Sequence, residues 1–511
     1  MKHAVAAAAL VLLALPRLGE AQNLRIVDTT VLEYRGDNEN AVTGDDNYGV
    51  AINKLYLNGQ MDRTAVNAQV DAFLFSGYPD VPNPGPENPS AYASEARLER
   101  LSLVHNFGGS GKLTVGDAHQ QLGRGLVLAL RKVDELGTDQ ALRGGSVEWD
   151  ADRFAALVFA GRTNVANMDG VTQKFIEDPN DTLAGASGTL RFGSADVSIH
   201  GLYLRPSTPK DPTFDDDQTL VGGAYLDLPA TDWLSLYAEG AVEEVRTLGV
   251  ARQGMAGYVA ADLDLQVVQL LLEGLYLDQF QVWGSQNETL GQPFAYNQPP
   301  TLERIDQEVL DNRDVRGGRA KLSKAFFDGD LVLYVSGVMR RYGIAPSEVD
   351  ALHGYGGFEL TYGAGLSRWY LSGGWRQETL TIRAEEPMKT MAHAETDWVH
   401  AIGGGYAIHV VVNHEERELE GHAYRRGTTL LGLDRFGLGS LMAEIGYDDQ
   451  HETSRNFYLA GIVGWEYDHW LHLRAVVGSQ RGGIKCIGGI CRDFPPFAGA
   501  RFEASVQHDL L

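Results

Sequence analysis

Single-residue alternation of apolar and polar side chains recurs along most of this chain. From Leu234, one wall carries Leu234, Leu236, Ala238, Gly240 and Val242, and the other carries Ser235, Tyr237, Glu239, Ala241 and Glu243. Val197, Ile199, Gly201 and Tyr203 alternate with Asp196, Ser198, His200 and Leu202. Near the end, Leu471, Leu473, Ala475 and Val477 alternate with His472 and Arg474, and Ala500, Phe502, Ala504 and Val506 with Arg501, Glu503, Ser505 and Gln507. Successive side chains of a strand point to opposite faces, so each segment has one apolar and one wetter wall. No stretch of 18 uninterrupted apolar residues follows the first residues, which excludes helical membrane spans.

Alternation alone suits a soluble sandwich as well as a membrane barrel, and the connections separate the two. Tight ones are expected at 61–63, 108–111, 150–152, 193–194, 229–232, 264–266, 328–329, 363–365, 407–409, 436–437 and 468–469. Long polar stretches lie between them at 78–92, 163–182, 205–217, 284–312, 384–396 and 480–497. Short turns at one end and long loops at the other are the pattern of an outer-membrane barrel with periplasmic turns and extracellular loops. These turns imply an all-β, closed antiparallel transmembrane barrel of about 24 strands, within a range of roughly 20–26. Aromatic residues gather beside the tight turns: Trp149, Phe154, Phe192, Trp233, Phe326, Phe327, Trp369, Tyr370, Trp465, Tyr467 and Trp470. They read as the periplasmic girdle, because amphipathic rings prefer the membrane interface.

Residues 1–21 have the layout of a secretory signal, with Lys2 and His3 before an apolar run and Gly19-Glu20-Ala21 as the cleavage site. Residues 22–511 are then expected to form a single barrel domain in the outer membrane. With 43 Lys and Arg against 68 Asp and Glu, the net charge is −25. Nucleic acid is therefore excluded as a partner, since phosphate binding needs a basic face.

One region breaks the rhythm. Residues 116–145 are rich in glycine and lone charges, including Asp117, Arg124, Asp139 and Arg143. Two readings stand: a segment that folds into the lumen and narrows or gates the pore, or a structural ion pair, Asp117 with Arg124, that sets strand register. The run GDAHQQLGRGLVLALRKVDELGTDQALRGGSV resembles the signature of an uncharacterised family of bacterial outer-membrane barrels. It matches at Gly116, Asp117, Gly123, Gly125, Gly137, Asp139, Leu142 and Gly144. The segment GGIKCIGGICRDFPPFAGARFEASV is similar to that family's paired-cysteine segment, through Cys486, Gly488, Gly489, Cys491 and Arg492. The two motifs span about 60 residues, and the resemblance implies a barrel fold while supplying no established activity to carry over. Two features depart from it: Ala118 and His119 replace an aromatic after the GD pair, and the last residue is Leu511, not an aromatic.

Cys486 and Cys491 are the two cysteines of the chain. In an exported protein a disulfide is the default, with redox chemistry or free thiols as the alternatives. Two thiolates without neighbouring ligands make no metal site. Asp45 and Asp46, the group Glu177, Asp178 and Asp181, and Asp215 to Asp217 are acidic loop clusters. They lack the spacing of a calcium loop and read as solvated charge, or as contacts to cations bridging lipopolysaccharide. No G-x-S-x-G elbow occurs, and His409, His414 and His422 lack zincin spacing, so an enzyme and a cofactor are not expected. His400 and His472 are expected to face a wet lumen. Glu239, Glu243, Arg319, Lys321, Arg474, Arg501 and Glu503 lie on the polar wall and suggest a channel for small polar solutes. The rival is a plugged or partner-filled barrel acting in surface assembly or protein export. Expected partners are outer-membrane lipid and lipopolysaccharide, small polar solutes and, on the rival reading, a protein.

Overall fold

The computed structural model describes residues 23–37, 39, 46–77, 94–133, 136–208, 217–287, 291–302, 314–383, 387–450, 455–487 and 490–510. The expected signal segment 1–21 lies outside them, as do Asp45, Asp215 and Asp216. Among the described residues, 24 strands form one closed antiparallel barrel. The first strand, Asn23–Arg35, pairs with the last, Phe497–Asp509, from Arg25 opposite Asp509 to Arg35 opposite Gly499. Closure follows from the solvent, because an open edge in hydrocarbon leaves backbone groups unpaired at several kcal/mol each.

The two ends of the barrel differ as the connections imply. Reversals such as Asp62-Arg63, Asp152-Arg153, Gly193-Ser194 and Asp468 to Trp470 are tight at one end. At the other, 166–181, 279–314 and 481–496 are long. Three expected boundaries shift. The turn placed at 407–409 falls at Gly404-Gly405, where glycines from Gly403 to Gly405 hold positive φ and let the chain reverse. The stretch 384–396 is strand from Lys389 onward. Leu248-Gly249 and Glu420-Gly421 make tight turns at the long-loop end.

The alternation sorts the side chains as expected. In Leu234–Thr247, Val242 is 63% exposed on the outward wall while inward Glu243 is 2% exposed. Ile199, Val335, Met339, Leu441 and Val477 continue the outward apolar belt around the barrel. Trp149, Phe154, Phe192, Trp233, Phe327, Trp369, Tyr467 and Trp470 are exposed beside the short turns. Tyr370 is a correction: it shares the inward face with Ser372 and bonds inward to Glu395. His400 also departs from expectation, since it lies on the outward face with Ile402 and stacks on Trp398. His472 does face inward and is half exposed.

The ladder is interrupted at one seam. The fifth strand, Gly111–Ala118, pairs with its predecessor only as far as Ser102 opposite Gly116. Beyond that point the rest of Glu95–Gly108 lacks a ladder partner on this side and meets side chains instead. Asp117 accepts from the Leu101 N–H at 2.7 Å, and Arg143 donates to the Glu99 carbonyl at 3.0 Å. Asn164 bridges the Glu99 carbonyl and Asp117 at 3.0 and 2.7 Å. Arg143 completes the closure at 3.0 Å from Asp117. Gly116 makes this possible: at φ +106, a Cβ there would lie 2.0 Å from the Leu101 carbonyl oxygen.

Candidate functional site

Three segments at the long-loop end pack on the inner wall. Leu122, Leu126, Val127, Leu128 and Leu130 join Phe280, Val282, Phe294, Tyr296 and Leu302 in one buried cluster. The wall side of that cluster includes Leu142, Phe159, Leu204, Tyr237, Tyr258, Leu277 and Val338, all inward-facing residues. Apolar residues on a lumen face are costly against water, and here the two inserted segments cover them. The third segment, 166–181, sets Met168 and Phe175 against Val31, Val50, Ile52 and Phe73 of the first three strands.

Polar hubs hold the inserted segments. Asp181, fully buried, accepts from the backbone N–H of Ser207 at 2.8 Å and of Ser285 at 2.8 Å, and from the Tyr296 hydroxyl at 2.7 Å. One carboxylate thereby ties three loops together, and burial pushes the Tyr296 phenol well above its ordinary pKa. Glu239 accepts from the Arg124 N–H at 3.0 Å and the Tyr237 hydroxyl at 2.7 Å. The Arg124 guanidinium lies over the Tyr237 ring, 3.8 Å from its centroid. Gly123 has φ +57, and a Cβ there would meet the Glu239 carboxylate. Glu243 accepts from the Gln281 N–H at 3.2 Å and pairs with Arg252 at 3.3 Å. A cavity of about 320 Å³ remains between this segment and the wall, lined by Gln121, Arg124, Tyr225, Asp227 and Tyr237.

The rest of the inner wall carries charged residues together with one apolar cluster, Ala460, Ile462 and Val476 with Leu430, Met442 and Phe497 packed against them. Arg417 and Arg426 flank the buried Glu415 at 2.7 and 2.6 Å. His409 lies 3.0 Å from Asp397, which Arg368 meets at 3.3 Å. Arg368 and Asp397 border a cavity of about 510 Å³ shared by Glu359, Tyr370, Glu395 and Asn413. Arg474 stands opposite Glu503, and Arg501 lies 3.5 Å from Glu503 and 3.8 Å from Glu33.

The candidate residues from the sequence therefore separate into three groups. Arg474, Arg501 and Glu503 line the polar wall. Glu239, Glu243 and Arg124 are on the luminal side, yet they anchor an inserted segment. Asp117 and Arg143 belong to the seam, and Asp117 pairs with Arg143, not with Arg124. The reason is local, since Gly116 turns the Asp117 carboxylate toward the unladdered edge while Arg124 is drawn to Tyr237. Asp139 is held by Arg100 at 3.3 Å and His119 at 2.9 Å, beside the same seam. The backbone hairpin of Gly483–Ile487 and Ile490–Phe494 sets Cys486 opposite Cys491. Asp178 and Asp181, read as solvated charge, are instead used inside the loops, with Asp178 accepting from the Val165 N–H at 3.1 Å. The partners of Asp181, Ser285 and Tyr296, lie more than a hundred positions from it, so no local pattern announces the clamp. Glu415 and Arg417, two positions apart on one strand face, were within reach of the alternation pattern.

No family model matches the sequence, and no curated protein is similar to it. Solved structures are similar in fold at low identity. An E. coli P pilus tip assembly intermediate containing PapC aligns over 95% of this chain and 61% of its own, with TM-score 0.50 and 10% identity. The chain thus spans less than two thirds of that structure's length. The siderophore receptor PirA from Pseudomonas aeruginosa aligns over 96% of this chain and 80% of its own, with TM-score 0.47 and 8% identity. OccAB1 from Acinetobacter baumannii aligns over 70% of this chain and 93% of its own, with TM-score 0.40 and 12% identity. At these identities the likeness concerns the fold alone, that of an outer-membrane β-barrel. The motif resemblance drawn from the sequence extends no further than that class.

Proposed function

We propose that this protein is an outer-membrane channel for small polar solutes, narrowed by chain segments folded into its lumen. The supporting observation is a division of the inner wall. The inserted core covers the strands from Leu142 to Val338, while Glu359, Arg368, Glu395, Glu444, Arg474, Arg501 and Glu503 stay exposed or half-buried. A barrel of about 24 strands is wide enough for water to pass along such a wall. Both signs of charge are present, which suits a solute that is polar or zwitterionic. Purified protein in a planar bilayer is expected to give discrete conductance steps, and reversing Arg474 to Glu is expected to shift selectivity toward cations. Silence at every voltage and salt concentration would overturn the proposal.

A second reading, a barrel that assembles or exports a protein, is favoured by the plug-like packing of Leu122 to Leu130 on the inner wall, which a protein partner would displace or dock against. Purification in mild detergent separates the two. A stoichiometric partner supports export, and a lone conducting barrel supports solute passage.

A further inference from the structure

Arg143 and Arg162 stand directly opposite each other on neighbouring strands, and both point outward. Like charges facing across a sheet repel, so this pairing requires an opposing charge. Asp117 neutralises Arg143 at 3.0 Å, but Arg162 is exposed and forms no ion pair among the described residues. Other outward arginines toward the long-loop end are matched with carboxylates: Arg246 with Glu244 at 2.7 Å, Arg316 with Glu348 at 3.2 Å, and Arg341 with Asp350.

Its depth indicates what meets it. Below Arg162 the outward face of Phe154–Val165 reads Ala160, Val158, Ala156 and Phe154, entirely apolar down to the girdle. Eight residues at ~3.3 Å each, on strands tilted ~40°, rise about 20 Å. That is close to the ~25 Å apolar band of such barrels, which brings the guanidinium, on its flexible stem, to headgroup level. The long loops place this level in the outer leaflet.

We propose that Arg162, with Arg143 beside it, docks the phosphate of a phosphorylated glycolipid of the outer leaflet. The guanidinium fork matches a phosphate with paired, charge-assisted hydrogen bonds. The seam gains from this contact, because the lipid phosphate balances the arginine opposite Arg143, the residue that reaches across the missing ladder to the Glu99 carbonyl. The proposal rests on the outer-membrane reading but not on conduction.

The test is native mass spectrometry of the folded, detergent-purified barrel with lipid A carrying both phosphates. Parallel arms use dephosphorylated lipid A and inorganic phosphate. The wild type is expected to retain phosphorylated lipid A, R162Q to retain about tenfold less, and R316Q to match the wild type. Equal retention by R162Q and the wild type would overturn the proposal, as would equal retention of the dephosphorylated lipid. Competition by inorganic phosphate at matched concentration would indicate a free-anion site and would also overturn it. Should R162Q not fold, the wild-type comparison of the two lipids still decides. Conductance is expected to be unchanged in R162Q, so failure here is distinguishable from failure of the channel reading.

Discussion

Asp117 shows how much depends on a single carboxylate at the seam. It accepts from Leu101, Asn164 and Arg143, three donors that a ladder strand would otherwise have replaced or spared. Asp117→Ala leaves the Leu101 N–H unpaired and takes one acceptor each from Arg143 and Asn164, which keep the Glu99 carbonyl, and is expected to cost on the order of 3 kcal/mol. The temperature at which the folded band is lost on an unboiled SDS gel should fall, while Asp227→Ala at the luminal cavity should leave it nearly unchanged. Which partner Asp117 takes was not legible in the sequence, because short spacing pointed to Arg124 while Arg143 lies 26 positions away. The glycine before it was the better clue, since a positive φ marks where the backbone leaves the ladder. At the second motif, Cys486 and Cys491 sit opposite each other in a hairpin. A disulfide there predicts alkylation of both thiols only after reduction, and modification without reductant would refute it.

At the level of elements, strands and loops differ in how they are specified. Each strand carries its own evidence in alternation, because membrane and lumen impose opposite demands on successive residues. Turn glycines add to this, and the one misplaced turn arose where three glycines precede the predicted site. The inserted loops carry no such periodic signal. Their order comes from contacts distant in sequence, of which Asp181 is the clearest. Asp181→Ala is expected to loosen the hold of Ser207, Ser285 and Tyr296 on 166–181 at a cost of about 3 kcal/mol, through buried donors that lose an acceptor. Limited proteolysis should then cut within 279–302 while the barrel core stays resistant. Unchanged resistance of the loop would show that the clamp is dispensable.

At the scale of the whole molecule, the inserted core and the polar wall share one lumen, and conduction depends on how the two divide it. Replacing 121–135 with a short glycine linker removes Leu122 to Leu130 from the cluster and is expected to raise single-channel conductance roughly twofold. Conductance equal to the wild type would mean that this segment does not narrow the path. The alternation, the turn spacing and the aromatic girdle determined by themselves that the chain closes into a barrel of about 24 strands. They could do so because each is a local response to a solvent that changes from one face to the other. The tertiary structure alone decided that the ladder opens beside Asp117, that Glu239 and Asp181 anchor loops, and that apolar side chains occupy part of the lumen. Those outcomes depend on which distant residues meet inside a closed cylinder, and no period along the chain encodes such meetings.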